Sequence, residues 1–227
     1  MRVPFEASLR ALVRPTGAFA EPPPSLGRAL ARMLALWTPL ALAHAALTVR
    51  EGLQAYGQLR RMGPPGWMSR LLGADPETLW ELFRDLPAAP AFGRIAPWLL
   101  VGVPIALLGT WIHHAVWDHA GLWLLGGLKG RRGFKTTLVA EAEALRIAAL
   151  GTLAGLLGFL PGLGAALAFP LVLLEGYLWL FRGFALAARH GCAPWRGVAA
   201  TVVHAVLLGT CALGLAGLML VLLRVGP

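Results

Sequence analysis

Charge is scarce in this chain. Asp, Glu, Lys and Arg make up 14% of its 227 residues, against 57% hydrophobic ones, where a soluble domain carries about 25% charged residues. That shortfall excludes an ordinary soluble domain and points to helices that cross a membrane. Lysine is nearly missing, since eighteen of the twenty basic residues are arginine. Cysteine occurs twice, at Cys192 and Cys211, with no CxxC and no Cys/His zinc-finger spacing, which excludes a disulfide framework and a zinc finger. The serines are Ser8, Ser25 and Ser69, all outside the long apolar runs, and none sits in GxSxG. HExxH is absent, and "GGLKGRRG" has glycines and bases without the GK[ST] ending of a phosphate loop. Together these absences predict a protein that is not an enzyme and needs no cofactor. The formal net charge of +9 comes without any RNA- or DNA-reading motif. Many of the arginines flank apolar runs, as basic residues do at the ends of membrane spans, so no nucleic-acid partner is expected.

What is present is apolar length. A span needs about 20 apolar residues, and five stretches qualify: Leu30–Val49, Pro97–Leu125, Thr137–Leu160, Leu163–Ala188 and Val198–Leu223. The predicted fold class is an all-α integral membrane protein, five transmembrane helices in one bundle with short amphipathic interfacial helices. Residues 1–29 form an N-terminal segment with an amphipathic stretch around Leu12 and Val13, 30–49 the first span, 50–96 a loop, and 97–227 a four-helix region. The break "PGLG" at Pro161–Gly164 is enough for a tight helical hairpin. Within the loop, Asp75 is a plausible N-cap with Pro76 at the first helical position. Leu79, Leu82, Phe83 and Leu86 then line one face of a surface helix. Basic residues concentrate after the second span, at Lys129, Arg131, Arg132 and Lys135, and again in the 183–197 turn and the N-terminal segment. That bias places those segments and the N-terminus in the cytoplasm and the C-terminus outside. The basic turn would press on anionic lipid headgroups.

Ionisable residues gather toward one end of these spans. "WIHHAVWDHA" holds His113, His114, Asp118 and His119; Glu141, Glu143 and Arg146 follow in the third span, Glu175 and Arg182 in the fourth, His204 in the fifth. Ionisable groups inside a membrane are costly and usually face a bundle interior or a wet cavity. Asp118, Glu141, Glu143 and Glu175 set four negative charges against Arg146 and Arg182. His114 and Asp118 stand four apart on one helix face. A divalent metal there would need these two plus His119 or Glu141. A structural polar network is the plainer expectation, and a proton- or ion-handling site the next. Gly151, Gly155 and Gly158 form a small-residue strip suited to close helix packing.

The order of motifs over residues 110–209 resembles the Yip family, the Ypt/Rab-interacting membrane proteins, in its bacterial branch. A histidine-containing span end leads to "LLGG", a glycine and base turn, "GFKTTL", the "P-GLG" break, "LEGYLWLFRGFALAARHG" and "PWRGVAATVVHAVLLG"; "LRALVRPTGAF" fits ahead of the first span. The resemblance implies five spans, a cytoplasmic N-terminus and no catalytic residues. Some relatives contact Rab GTPases through a long acidic N-terminal region, which this chain lacks. Its Arg-, Ala- and Gly-rich composition looks bacterial. The expected function is a membrane-organising or scaffold protein of a bacterial inner membrane, binding lipids or other membrane proteins. A small transporter or ion- and proton-permeation module, and after it a metal-dependent membrane enzyme, are the alternatives.

Overall fold

The computed structural model describes residues 11–63, 65–73, 75–128 and 133–225. Lys129, Arg131 and Arg132 of the basic turn lie outside them; Lys135 is exposed in the first turn of a helix. All regular structure among the described residues is helical: α1 Leu26–Met62, α2 Gly66–Leu72, α3 Pro76–Asp85, α4 Phe92–Leu124, α5 Phe134–Leu157, α6 Leu163–His190 and α7 Pro194–Val225. Four of them, α1, α4, α6 and α7, are long and apolar enough to cross a membrane. The chain therefore reads as a multi-pass membrane protein. The 24-residue α5 has the length, but Glu141, Glu143 and Arg146 in its middle lower its hydropathy.

The chain divides into two compact units, residues 39–105 and residues 1–38 with 106–227. In the first, the expected loop after Val49 is mostly helix, because α1 runs on for 37 residues to Met62. The apolar signal ends near Val49, yet the helix persists because Leu53, Tyr56 and Leu59 keep a half-buried side. Tyr56 donates to the Pro87 carbonyl at 2.7 Å. Gly63, at φ +79°, ends α1 against Trp80, where a Cβ would fall 2.0 Å from the indole Cδ1. Asp75 caps α3 as its sequence suggests, one carboxylate oxygen accepting from the Glu77 and Thr78 amides, both at 3.0 Å. Leu79 is buried, Phe83 and Leu86 half-buried, whereas Leu82 is exposed. Asp75→Ala should cost α3 about 1 kcal/mol, read as faster hydrogen exchange confined to Pro76–Asp85. Exchange unchanged there would show that the cap does not hold the helix.

In the second unit α5 and α6 form the hairpin expected from "PGLG", with Gly162 in the left-handed region at φ +80°. α6 packs along α7 in turn. One core cluster joins Ala140, Ala144 and Ile147 of α5 to Phe181, Ala185 and Leu186 of α6, sealed by Ala11 and Phe19. A second joins Ala29 and Met33 of α1 to Trp111 of α4 and Val139, Ala142 and Leu145 of α5. Trp111 also donates through its indole nitrogen to the Leu138 carbonyl at 2.9 Å.

Candidate functional site

The buried face of α4 is written at helical spacing: Trp111, His114, Ala115, Asp118, Gly121 and Leu122 point inward. The spacing separates residues that are adjacent in sequence. His114 and Asp118 are buried, His113 and Trp117 exposed, and His119 half-buried on another side. Glu141 on α5 is fully buried, as are Arg182 on α6 and His204 on α7.

These four helices converge on the Arg182 guanidinium. Its Nη2 donates to Asp118 Oδ2, and its Nε to Glu141 Oε2 at 3.1 Å. Trp179, a turn away on α6, lies under the guanidinium with 4.3 Å from Cζ to the ring centroid. The second oxygen of Asp118 is 2.7 Å from His204 Nδ1. A carboxylate only accepts, so Nδ1 carries the proton and donates. His204 Nε2 is then left to exchange a hydrogen bond with His113 Nε2 at 3.3 Å. The connected groups run from exposed His113 through His204 and Asp118 to Arg182 and Glu141. Two buried carboxylates share one guanidinium.

Two smaller clusters flank this one. Thr137 bridges His119 Nδ1, at 2.7 Å, and His190 Nε2, at 2.9 Å. Arg189 grips Glu143 with two parallel hydrogen bonds of 2.7 and 2.8 Å and reaches the Phe19 and Glu21 carbonyls. That fork holds the segment before α1 against the hairpin. Sequence reasoning assigned Arg189 to a loop and missed His190 and Thr137 as partners. The signal was there: folding the hairpin about Pro161 sets the start of α5 beside the end of α6.

The remaining expectations fall apart spatially. His119 belongs to the Thr137 cluster rather than with His114 and Asp118. Arg146 is half-buried one turn beyond Glu143, outside the Arg182 cluster. Glu175 is exposed, although it lies two turns from Arg182 on the same face of α6. No residue of α6 before Leu178 is buried, so depth along the helix separates the two residues. Of the glycines, Gly151 is buried, with a Cβ position 2.6 Å from Leu178 Cδ1; Gly155 is half-buried, and Gly158 caps the end of α5. The tight approach is elsewhere, between Gly183 of α6 and Gly197 of α7.

His114, Asp118 and His204 bring three donor atoms within 4.8 Å of one another. This is a two-histidine, one-carboxylate set of the ligand types that suit a first-row divalent ion, and its third member is His204 rather than His119 or Glu141. Arg182 already occupies the cation position beside Asp118. Comparison of the chain with protein-family models, curated proteins and solved structures finds no match, which leaves the functional argument to these residues.

Proposed function

We propose that the protein is a non-enzymatic, five-span protein of a bacterial inner membrane that organises other membrane components, a Yip-like scaffold rather than a carrier. In this reading α1, α4, α5, α6 and α7 all cross, with the N-terminus and the basic turn at Lys129, Arg131, Arg132 and Lys135 in the cytoplasm against anionic lipids, and the C-terminus outside. Glu175 is the observation that carries it. It sits near the middle of the 28-residue α6, exposed, without an ion-pair partner among the described residues. A carboxylate left in hydrocarbon costs roughly 3 kcal/mol. A neighbouring membrane protein that offers a donor or a cation relieves that cost, and the rest of the exposed surface of α6 is apolar enough to receive a helix.

Permeation draws less support. On α4 and α7 the ionisable groups stop at His113 and His204: residues 105–112 of α4 and 205–222 of α7 hold no Asp, Glu, Lys, Arg or His. What favours it is that Glu175 stands on the helical face that carries Arg182. One pair of experiments separates the readings. A photo-crosslinker at Val172 should give an adduct with another membrane protein in native membranes, lost in Glu175→Leu while the protein stays folded. Proteoliposomes should show no proton or cation flux above empty ones. Flux that Glu175→Leu or His113→Ala abolishes would replace the scaffold with a transporter, and an adduct indifferent to Glu175→Leu would remove the partner face.

A further inference from the structure

Independently of the scaffold reading, the structure assigns a phosphate-binding cleft to the unit of residues 39–105. The cleft has a volume of about 420 Å³ and lies between the last turns of α1 and the end of α3. Leu53, Gln54, Gly57, Arg60 and Arg61 line it from α1, at the spacing that puts them on one helix side, and Arg84 lines it from α3. Its walls are tied together. Tyr56 hydrogen-bonds the Pro87 carbonyl, and Arg60 Nε donates to the Arg84 carbonyl at 3.4 Å.

Arg60, Arg61 and Arg84 all line the cleft, and no carboxylate lines it among the described residues. Asp85, beside Arg84 Nε at 3.5 Å, offsets one of the three charges, so about two remain, the charge of a phosphate group. Arginines at helix C-termini also complement the helix dipole, and for Arg60 the bond to the Arg84 carbonyl is that role. Arg61 and the terminal nitrogens of Arg84 are left over, in the planar fork geometry that matches phosphate oxygens. At Gly57 an added Cβ would meet nothing within 4 Å, so the floor of the cleft is open. Exposed Trp67 and Trp80 stand in the same unit, with Arg84 5.7 Å from the Trp80 ring centroid. Tryptophans of this kind favour the headgroup layer of a membrane. The ligand is a phosphate-bearing anion, supplied either as a lipid headgroup or in free form.

The test uses the full-length protein in an uncharged detergent, titrated separately with inorganic phosphate and with a short-chain phosphatidylglycerol. Arg61→Gln/Arg84→Gln removes the charge. Gly57→Leu fills the cleft with every charge kept and improves helix propensity, so it guards against a mere folding failure. Arg94→Gln, exposed elsewhere in the unit, is the control. Saturable one-to-one binding weakened at least tenfold by both cleft variants, and unchanged in the control, supports the site. Competition by inorganic phosphate then marks a free-anion site, and lipid binding that phosphate does not displace marks a headgroup site. Absence of saturable binding by either probe overturns the proposal, as does binding that both cleft variants leave intact.

Discussion

Arg182→Ala is expected to cost the folded protein about 3–5 kcal/mol, the usual penalty when one partner of a buried ion pair is removed and the other stays charged. Here the penalty falls twice, because Asp118 and Glu141 both depend on the same guanidinium. Lysine should rescue poorly: one ammonium has no planar fork with which to serve two carboxylates on different helices. Adding Asp118→Asn and Glu141→Gln should recover a large part of the loss, since amides leave no net charge behind. Reversible unfolding in mixed detergent micelles measures all of these variants. An Arg182→Ala protein as stable as the wild type would show that the network does not hold the helices together. The same variant probes the metal set. With the guanidinium gone, His114, Asp118 and His204 surround an empty cation position, so zinc should restore stability to Arg182→Ala and not to Arg182→Ala/His114→Ala. Wild-type protein should carry only background metal. A full equivalent in the wild type would mean that the ion and Arg182 share the site, and the enzyme reading would return.

The parts of this architecture legible in the sequence are those set by short-range chemistry. Hydropathy over about 20 residues finds the apolar helices, the Asp75–Pro76 pair announces α3, and "PGLG" announces the hairpin. The four-residue spacing of His114 and Asp118 correctly predicts a shared face. What fails is anything decided by a neighbouring helix. α6 is apolar nearly all round, so nothing in its own pattern says that Arg182 is enclosed while Glu175, seven residues earlier, is not. The sequence puts His204 among the ionisable residues gathered at one end of the spans, but only the packing of α7 on α6 pairs it with Asp118. The extension of α1 past Val49 was hidden for a related reason: a helix continued outside hydrocarbon no longer needs apolar residues on every side.

The crossing of α6 and α7 should tolerate no added side-chain atom at Gly183 or Gly197. A Cβ on Gly183 would lie 2.4 Å from Val198 Cα and 2.5 Å from Val198 N, and one on Gly197 would lie 2.0 Å from the Gly183 carbonyl oxygen. These obstacles are backbone atoms, so no rotamer change relieves them and the helices themselves must part. Overpacking of a core ordinarily costs about 1–3 kcal/mol, and Gly183→Ala and Gly197→Ala should reach or exceed the upper end. The displacement also spreads. Arg182 precedes Gly183 directly, and His204 is two turns from Gly197 on the same side of α7, so separating the helices pulls His204 away from Arg182 and Asp118. Gly151→Ala should be milder, because its obstacle is the movable end of Leu178. Gly209→Ala and Gly214→Ala, with nothing within 4 Å of the new Cβ, should be neutral or gain up to about 1 kcal/mol from helix propensity. Thermal unfolding of the five variants in one detergent gives the ranking. If Gly183→Ala melts with Gly214→Ala, the two backbones are not in contact, and the route by which His204 reaches the Arg182 cluster has to be redrawn.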